Sequence, residues 1–156
     1  MRILGIDPGF ERLGIAIVEK NKKEIVIFSE CFKTRATLEF SERLKLIGLE
    51  VKKIIKNYKP EILAIETLFL NTNQKTVMRV AEARGVIIYE ASLAGLDIFE
   101  ASPPQIKIAI TGYGRANKDQ VMKMVKILVE MDKNKSSDDE LDAIAIALTA
   151  FAHKRN

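Results

Sequence analysis

Four carboxylates in this sequence stand apart from their surroundings. Asp7 closes the apolar run RILGID (2–7), and Glu66 closes ILAIE (62–66). Asp142 is the only charge inside LDAIAIALTAF (141–151), and Asp139 lies three residues before it. If that run is helical, the two share a face. Acids are ordinary at a helix N-terminus, and that accounts for Asp138 and Glu140. It does not account for Asp142, which sits amid apolar neighbours. Two acids that end adjacent strands repel each other unless a cation lies between them. Four together would hold hard divalent cations such as Mg²⁺, which take oxygen ligands. Two such ions about 4 Å apart can activate a water and stabilise the leaving oxygen of a phosphodiester. Glycosidase-type acid–base work needs only two carboxylates. Cys31 and His153 are the only residues of their kinds, so no Cys/His set has zinc spacing. Cys31, in IVIFSECF, reads as a buried structural thiol, and His153, in AFAHKRN, as a surface residue.

The elements that must position these acids follow from periodicity. RILGID, LGIAIVE (13–19) and IVIFSECF (25–32) read as strands, close enough in sequence to pair antiparallel. Leu44, Ile47, Val51, Ile54 and Tyr58 recur at spacings of three and four, which predicts a helix from about Leu38 to Tyr58. Lys59-Pro60 ends it. ILAIE is a fourth strand. A helix from about Gln74 to Ala94 follows, with Asn73 a candidate N-cap, and then a fifth strand, DIFEA (97–101). After Pro103-Pro104 come a short helical piece, the loop TGYGRAN, and a helix from about Lys118 to Met131. SSDDE offers a capping box to the last helix, with Ser137 as cap and Glu140 at its third position. Strands one, four and five are linked by helices and should run parallel. The result is an α/β fold: a mixed five-stranded sheet with helices on both faces. Asp7 and Glu66 then fall at one C-terminal edge, where open α/β sheets bind ligands. Asp-Pro-Gly turns the chain sharply there and leaves the Asp7 carboxylate at the edge.

Bulk properties agree. A chain of 156 residues fits one domain, residues 1–156. It has no apolar run long enough to span a bilayer and no signal-peptide layout, so the expectation is a cytoplasmic protein without disulfides. Net charge is +4. Between Pro103 and Lys126, Lys107, Arg115, Lys118, Lys123 and Lys126 face Asp119 alone, an excess equal to that of the whole chain. A local basic patch fits a polyanion, and Lys107, Arg115 and Lys118 are candidate phosphate contacts.

LGIDPG with the following Gly14, AIE at 64–66, the loop ETLFLNTN, EARG at 82–85 and DxxDAIAIA at 139–147, taken in order, resemble the RuvC family of Holliday-junction resolvases. The likeness runs from Met1 to about Ala152. It implies a ribonuclease H-like fold and a homodimeric nuclease that places symmetric nicks across a four-way DNA junction during recombination and repair. The implied cofactor is Mg²⁺, replaceable by Mn²⁺, with two ions per site. By motif position the family's acids fall on Asp7, Glu66, Asp139 and Asp142, with Asp138 adjacent to the third. The family's lysines fall on Lys107 and Lys118, and its loop aromatic on Phe69. Association with the RuvA–RuvB branch-migration complex is implied as well. Alternatives are a YqgF-type, RNA-directed nuclease of the same fold, an actin-like nucleotide-binding module, or a DNA-binding subunit without catalysis.

Overall fold

The computed structural model describes residues 1–68, 74–131 and 136–154. Phe69, Leu70 and Asn73 lie outside them. Strands β1 (Arg2–Asp7), β2 (Arg12–Lys20), β3 (Glu24–Lys33), β4 (Ile62–Glu66) and β5 (Asp97–Ala101) form one sheet in the order β3-β2-β1-β4-β5. β1 pairs antiparallel with β2 and parallel with β4, and β5 runs parallel to β4. Helices α1 (Phe40–Tyr58), α2 (Gln74–Leu93), α3 (Pro103–Thr111), α4 (Lys118–Leu128) and α5 (Asp138–His153) complete the chain.

Side chains alternate across a strand, so each face of the sheet builds its own core. Leu4, Ile6, Ile15, Ile17, Leu63 and Ile65 pack on one face against Ile47 and Val51 of α1 and Ala83 and Ile87 of α2. On the other face, Ile3, Ala16, Val18, Ile62 and Ala64 meet α3, α4 and α5. α5 is buried nearly all round, as its alanine-rich sequence requires.

One helix ends earlier than its sequence predicts. α4 stops at Leu128 rather than Met131, because Val129 turns extended. Glu130 then exchanges backbone hydrogen bonds with Glu24 and Val26 of β3. The segment so covers part of an edge strand that would otherwise present unpaired backbone groups. In α2, Ile87 is fully buried against the sheet, and Met78, Tyr89 and Leu93 are exposed.

Candidate active site

The register fixes the first pair of acids. Ile6 lies opposite Ile65, so Asp7 and Glu66 stand one step further on, at the ends of adjacent parallel strands. Neighbouring strands are only about 4.8 Å apart. Arg84 of α2 holds that end of β4: its Nε donates to the Glu66 carbonyl at 3.0 Å, and its guanidinium pairs with Glu100. Arg84 thereby reaches the sheet from α2 and positions Glu66.

α5 brings the other acids because two glycines let it sit low on the sheet. A Cβ on Gly14 would lie 2.1 Å from the Asp139 carbonyl oxygen, and one on Gly5 would lie 2.1 Å from that of Ala143. Gly14 is the register partner of Asp7, so this close approach seats the start of α5 directly beside Asp7. The capping box of Ser137 and Glu140 starts the helix, and Ser29 of β3 also donates to Glu140 at 2.7 Å. Glu140 is thereby accounted for as a structural acid. Asp138 is exposed.

Two further capping boxes start helices at the same place. Ser102 with Gln105 begins α3, and Asn117 with Gln120 begins α4. The sequence carries both signals, S-P-P-Q and N-K-D-Q. Glu66, Asp142, Lys107, Lys118, Pro103, Ile106 and Val121 line a cleft of about 230 Å³ between these helices and the sheet edge. Lys118 Nζ lies 3.1 Å from Asp142 and 3.7 Å from Asp138. Arg115 is exposed on the α3–α4 loop and does not line the cleft.

Asp139 is engaged elsewhere. Arg12 donates to its Oδ2 from Nε at 3.0 Å and from its terminal nitrogen at 2.5 Å, and the Cys31 thiol donates to the same oxygen at 3.3 Å. Cys31 is therefore half-buried beside the acids rather than a core thiol, because β3 is an edge strand with less cover. Nothing in the sequence pattern singles out Arg12, whose partner lies 127 residues away.

The electrostatics divide the acids. Burial, then repulsion from Asp142 and Asp139, pushes Asp7 up to about 6. Burial, then repulsion from Asp7 and Asp142, pushes Glu66 up to about 7. Burial also raises Asp142, against the opposing pull of Lys118. For Asp139 the burial is outweighed by the hydrogen bonds from Arg12 and Cys31, which hold it below the usual carboxylate range. Among the described residues no three acid, cysteine or histidine side chains surround a single point as they stand. Asp7, Glu66 and Asp142 are nonetheless half-buried oxygen donors that repel one another, and a hard divalent cation fits that chemistry.

The sequence model described as "Crossover junction endodeoxyribonuclease RuvC" matches residues 3–150. A protein of that name from Caldanaerobacter subterraneus is 44% identical over 157 residues, covering 100% of this chain and 94% of its own. Another from Thermosipho melanesiensis is 44% identical, covering 94% of each. The structure titled "T. thermophilus RuvC in complex with Holliday junction substrate" superposes with a TM-score of 0.93 at 30% identity, over 99% of this chain and 95% of that one. The yeast mitochondrial Holliday junction resolvase Ydc2 shares the fold, with a TM-score of 0.73 at 15% identity, over 99% of this chain and 79% of its own. The mixed sheet with helices on both faces is thus the ribonuclease H-like arrangement. With its acids at the ends of β1 and β4 and in the first turns of α5, this chain belongs to the RuvC family of crossover junction endodeoxyribonucleases.

Proposed function

We propose that this chain resolves four-way DNA junctions by metal-dependent, symmetric nicking during recombination and repair, with Asp7, Glu66, Asp139 and Asp142 as its catalytic acids. One observation carries the reading: Asp7 and Glu66 end adjacent parallel strands, and Glu66 shares a cleft with Asp142, Lys107 and Lys118. The four acids would hold Mg²⁺, which Mn²⁺ could replace, at two ions per site, Asp139 becoming available as Arg12 lets go of it. Bound there, the ions supply Lewis acidity that activates water and neutralises the leaving oxygen.

The chain's own residues do the rest. Lys107 and Lys118 neutralise the phosphates that flank the cut, which positions the strand without reading its sequence. Arg115 contacts the backbone further out. Phe69, three residues beyond Glu66, stacks on an unpaired base at the junction. Asp7 and Glu66 resist charging when no cation faces them, so loading of the site strengthens as pH rises through about 6 to 7. Carboxylates repel phosphates, so these acids weaken DNA binding while they serve cleavage.

Two symmetric nicks need two sites related by a twofold axis. A homodimer through the exposed side of α2, where Met78, Tyr89 and Leu93 lie open, supplies them. The dimer acts in the cytoplasm, as one nuclease domain per chain, alongside the RuvA–RuvB complex. No helix among the described residues is long and apolar enough to cross a membrane.

The test is purified protein on a synthetic four-way junction with each strand labelled in turn, with and without Mg²⁺. The expected result is paired nicks at symmetric positions only when metal is present. Preferential cleavage of RNA would favour the YqgF-type reading, and metal-independent nicking would overturn the site.

A further inference from the structure

A second basic locus lies at the same sheet edge, on the face opposite Lys107 and Lys118. β1 ends there and α1 and α2 both start there, so the β1–β2 loop and the first turns of these helices converge. Phe10, three residues beyond Asp7, packs edge-on to Phe40 of α1 with ring centres 5.7 Å apart. The Arg79 guanidinium sits over both rings, at 5.7 Å from Phe10 and 5.2 Å from Phe40. Arg43 lies over Phe10 too, at 5.8 Å, and is only 6% exposed. Among the described residues its Nε has no hydrogen-bond partner, and the Glu11 carboxylate, itself exposed, is 3.5 Å from its Nη1. Phe10, Lys75, Thr76 and Arg79 line a pocket of about 180 Å³.

Two rings hold the Arg79 head in place while it stays exposed to solvent. An arginine held in this way keeps its planar donor fork pre-organised for a phosphate. Little side-chain entropy remains to be lost when it binds. The buried Arg43 adds positive potential beneath the pocket, and the Thr76 hydroxyl adds a neutral donor. The plain alternative is that the rings and Arg79 only staple α2 to α1. A staple needs neither an open pocket beside the guanidinium nor a second, buried cation under the same ring.

We infer that Arg79, with Lys75 and Thr76, anchors a backbone phosphate of a DNA strand that crosses the acid edge onto the α1–α2 face. The inference rests on the nuclease reading above and extends it. DNA bound at the acids would be gripped on both faces of the sheet: by Lys107 and Lys118 before the edge, and by Arg79 after it. A contact of this kind is blind to sequence.

The test measures binding of a labelled four-way junction, and of plain duplex, between about 50 and 200 mM salt. Arg79→Met keeps an unbranched stem between the rings and removes the charge. One lost phosphate contact lowers the salt slope by about one unit, so binding should fall about fourfold less over that range than for the unaltered protein. Lys75→Ala should act in the same direction, and it serves as the second variant if Arg79→Met folds poorly. Arg79→Lys should restore most of the slope. Unaltered slopes in Arg79→Met and Lys75→Ala, with only the melting temperature lowered, would leave a staple and overturn the inference. The duplex arm separates this from the resolvase reading. A protein that cuts no junction but binds duplex with an Arg79-dependent slope would lose that reading and keep the pocket.

Discussion

The two faces of the sheet are built from different side chains, and the difference separates stability from placement. Toward α1 and α2 the sheet presents Leu4, Ile6, Ile15, Ile17, Leu63 and Ile65. Each large apolar side chain buried there contributes about 1.5–3 kcal/mol. Toward α5 the acid-side half of the central strands presents Gly5, Gly14, Ala16 and Ala64, met by Ala143 and Ala147, and Ile3, Val18 and Ile62 lie only at the far end. Small residues bury less area each, but they let α5 approach until backbone meets backbone. That approach carries Asp139 and Asp142 to the edge where Asp7 stands. One face holds the fold together, and the other sets the distances on which chemistry depends.

The comparison can be broken most forcefully at Gly14. Its Cβ would stand 2.1 Å from the Asp139 carbonyl oxygen, a backbone atom that only a shift of α5 can move. A displacement of about 1 Å in a catalytic constellation can cost about 100-fold in rate. Gly14→Ala should therefore lose junction nicking by at least about that factor. Nicking within threefold of the unaltered protein would show that α5 has room to spare. On the opposite face the loss should be of the other kind. Ile17→Ala opens a cavity far from the edge and should cost about 2–5 kcal/mol in urea unfolding. Its rate per folded molecule should stay near normal, and a large rate loss there would merge the roles of the two faces.

The smallest effect sharpens the account. Glu66 is raised from its ordinary value to about 7 by burial and by its acidic neighbours. A carboxylate raised in the folded state destabilises the fold as pH climbs from its unfolded value through its folded one. Glu66→Gln should thus raise the metal-free melting temperature by a few degrees at pH 8, and the gain should vanish near pH 4. Equal melting curves at both pH values would mean that Glu66 carries no such strain.

Much of this site was legible in the sequence for a physical reason. Apolar strands that close on Asp7 and Glu66, with the Asp-Pro-Gly turn, put both acids at one sheet edge, and an apolar helix leaves Asp142 conspicuous; the register that sets Glu66 beside Asp7 comes from the structure. The Ser137–Glu140 capping box is local and was equally readable. What escaped depends on contacts between residues far apart in sequence. Arg84 falls inside the helix predicted over Gln74–Ala94, but periodicity does not name the neighbour across from it. Nothing in the pattern marks Arg12, yet it holds Asp139. Cys31 reads as a core thiol because its run is apolar, and only the edge position of β3 opens it toward the acids. α4 reads as continuing to Met131, but Glu130 pairs with an edge strand that the sequence does not place beside it.

The most direct measurement of the central claim separates cutting from binding in Asp7→Asn. On the proposed reading, the substitution removes a charge that would serve cleavage and repel DNA. Binding of a four-way junction and Mg²⁺-dependent nicking would be measured on the same preparation, with Asp142→Asn alongside. Nicking should fall to background in both variants, with junction affinity unchanged or tighter. Mg²⁺-dependent nicking by Asp7→Asn at the unaltered rate would contradict it and remove Asp7 from the site.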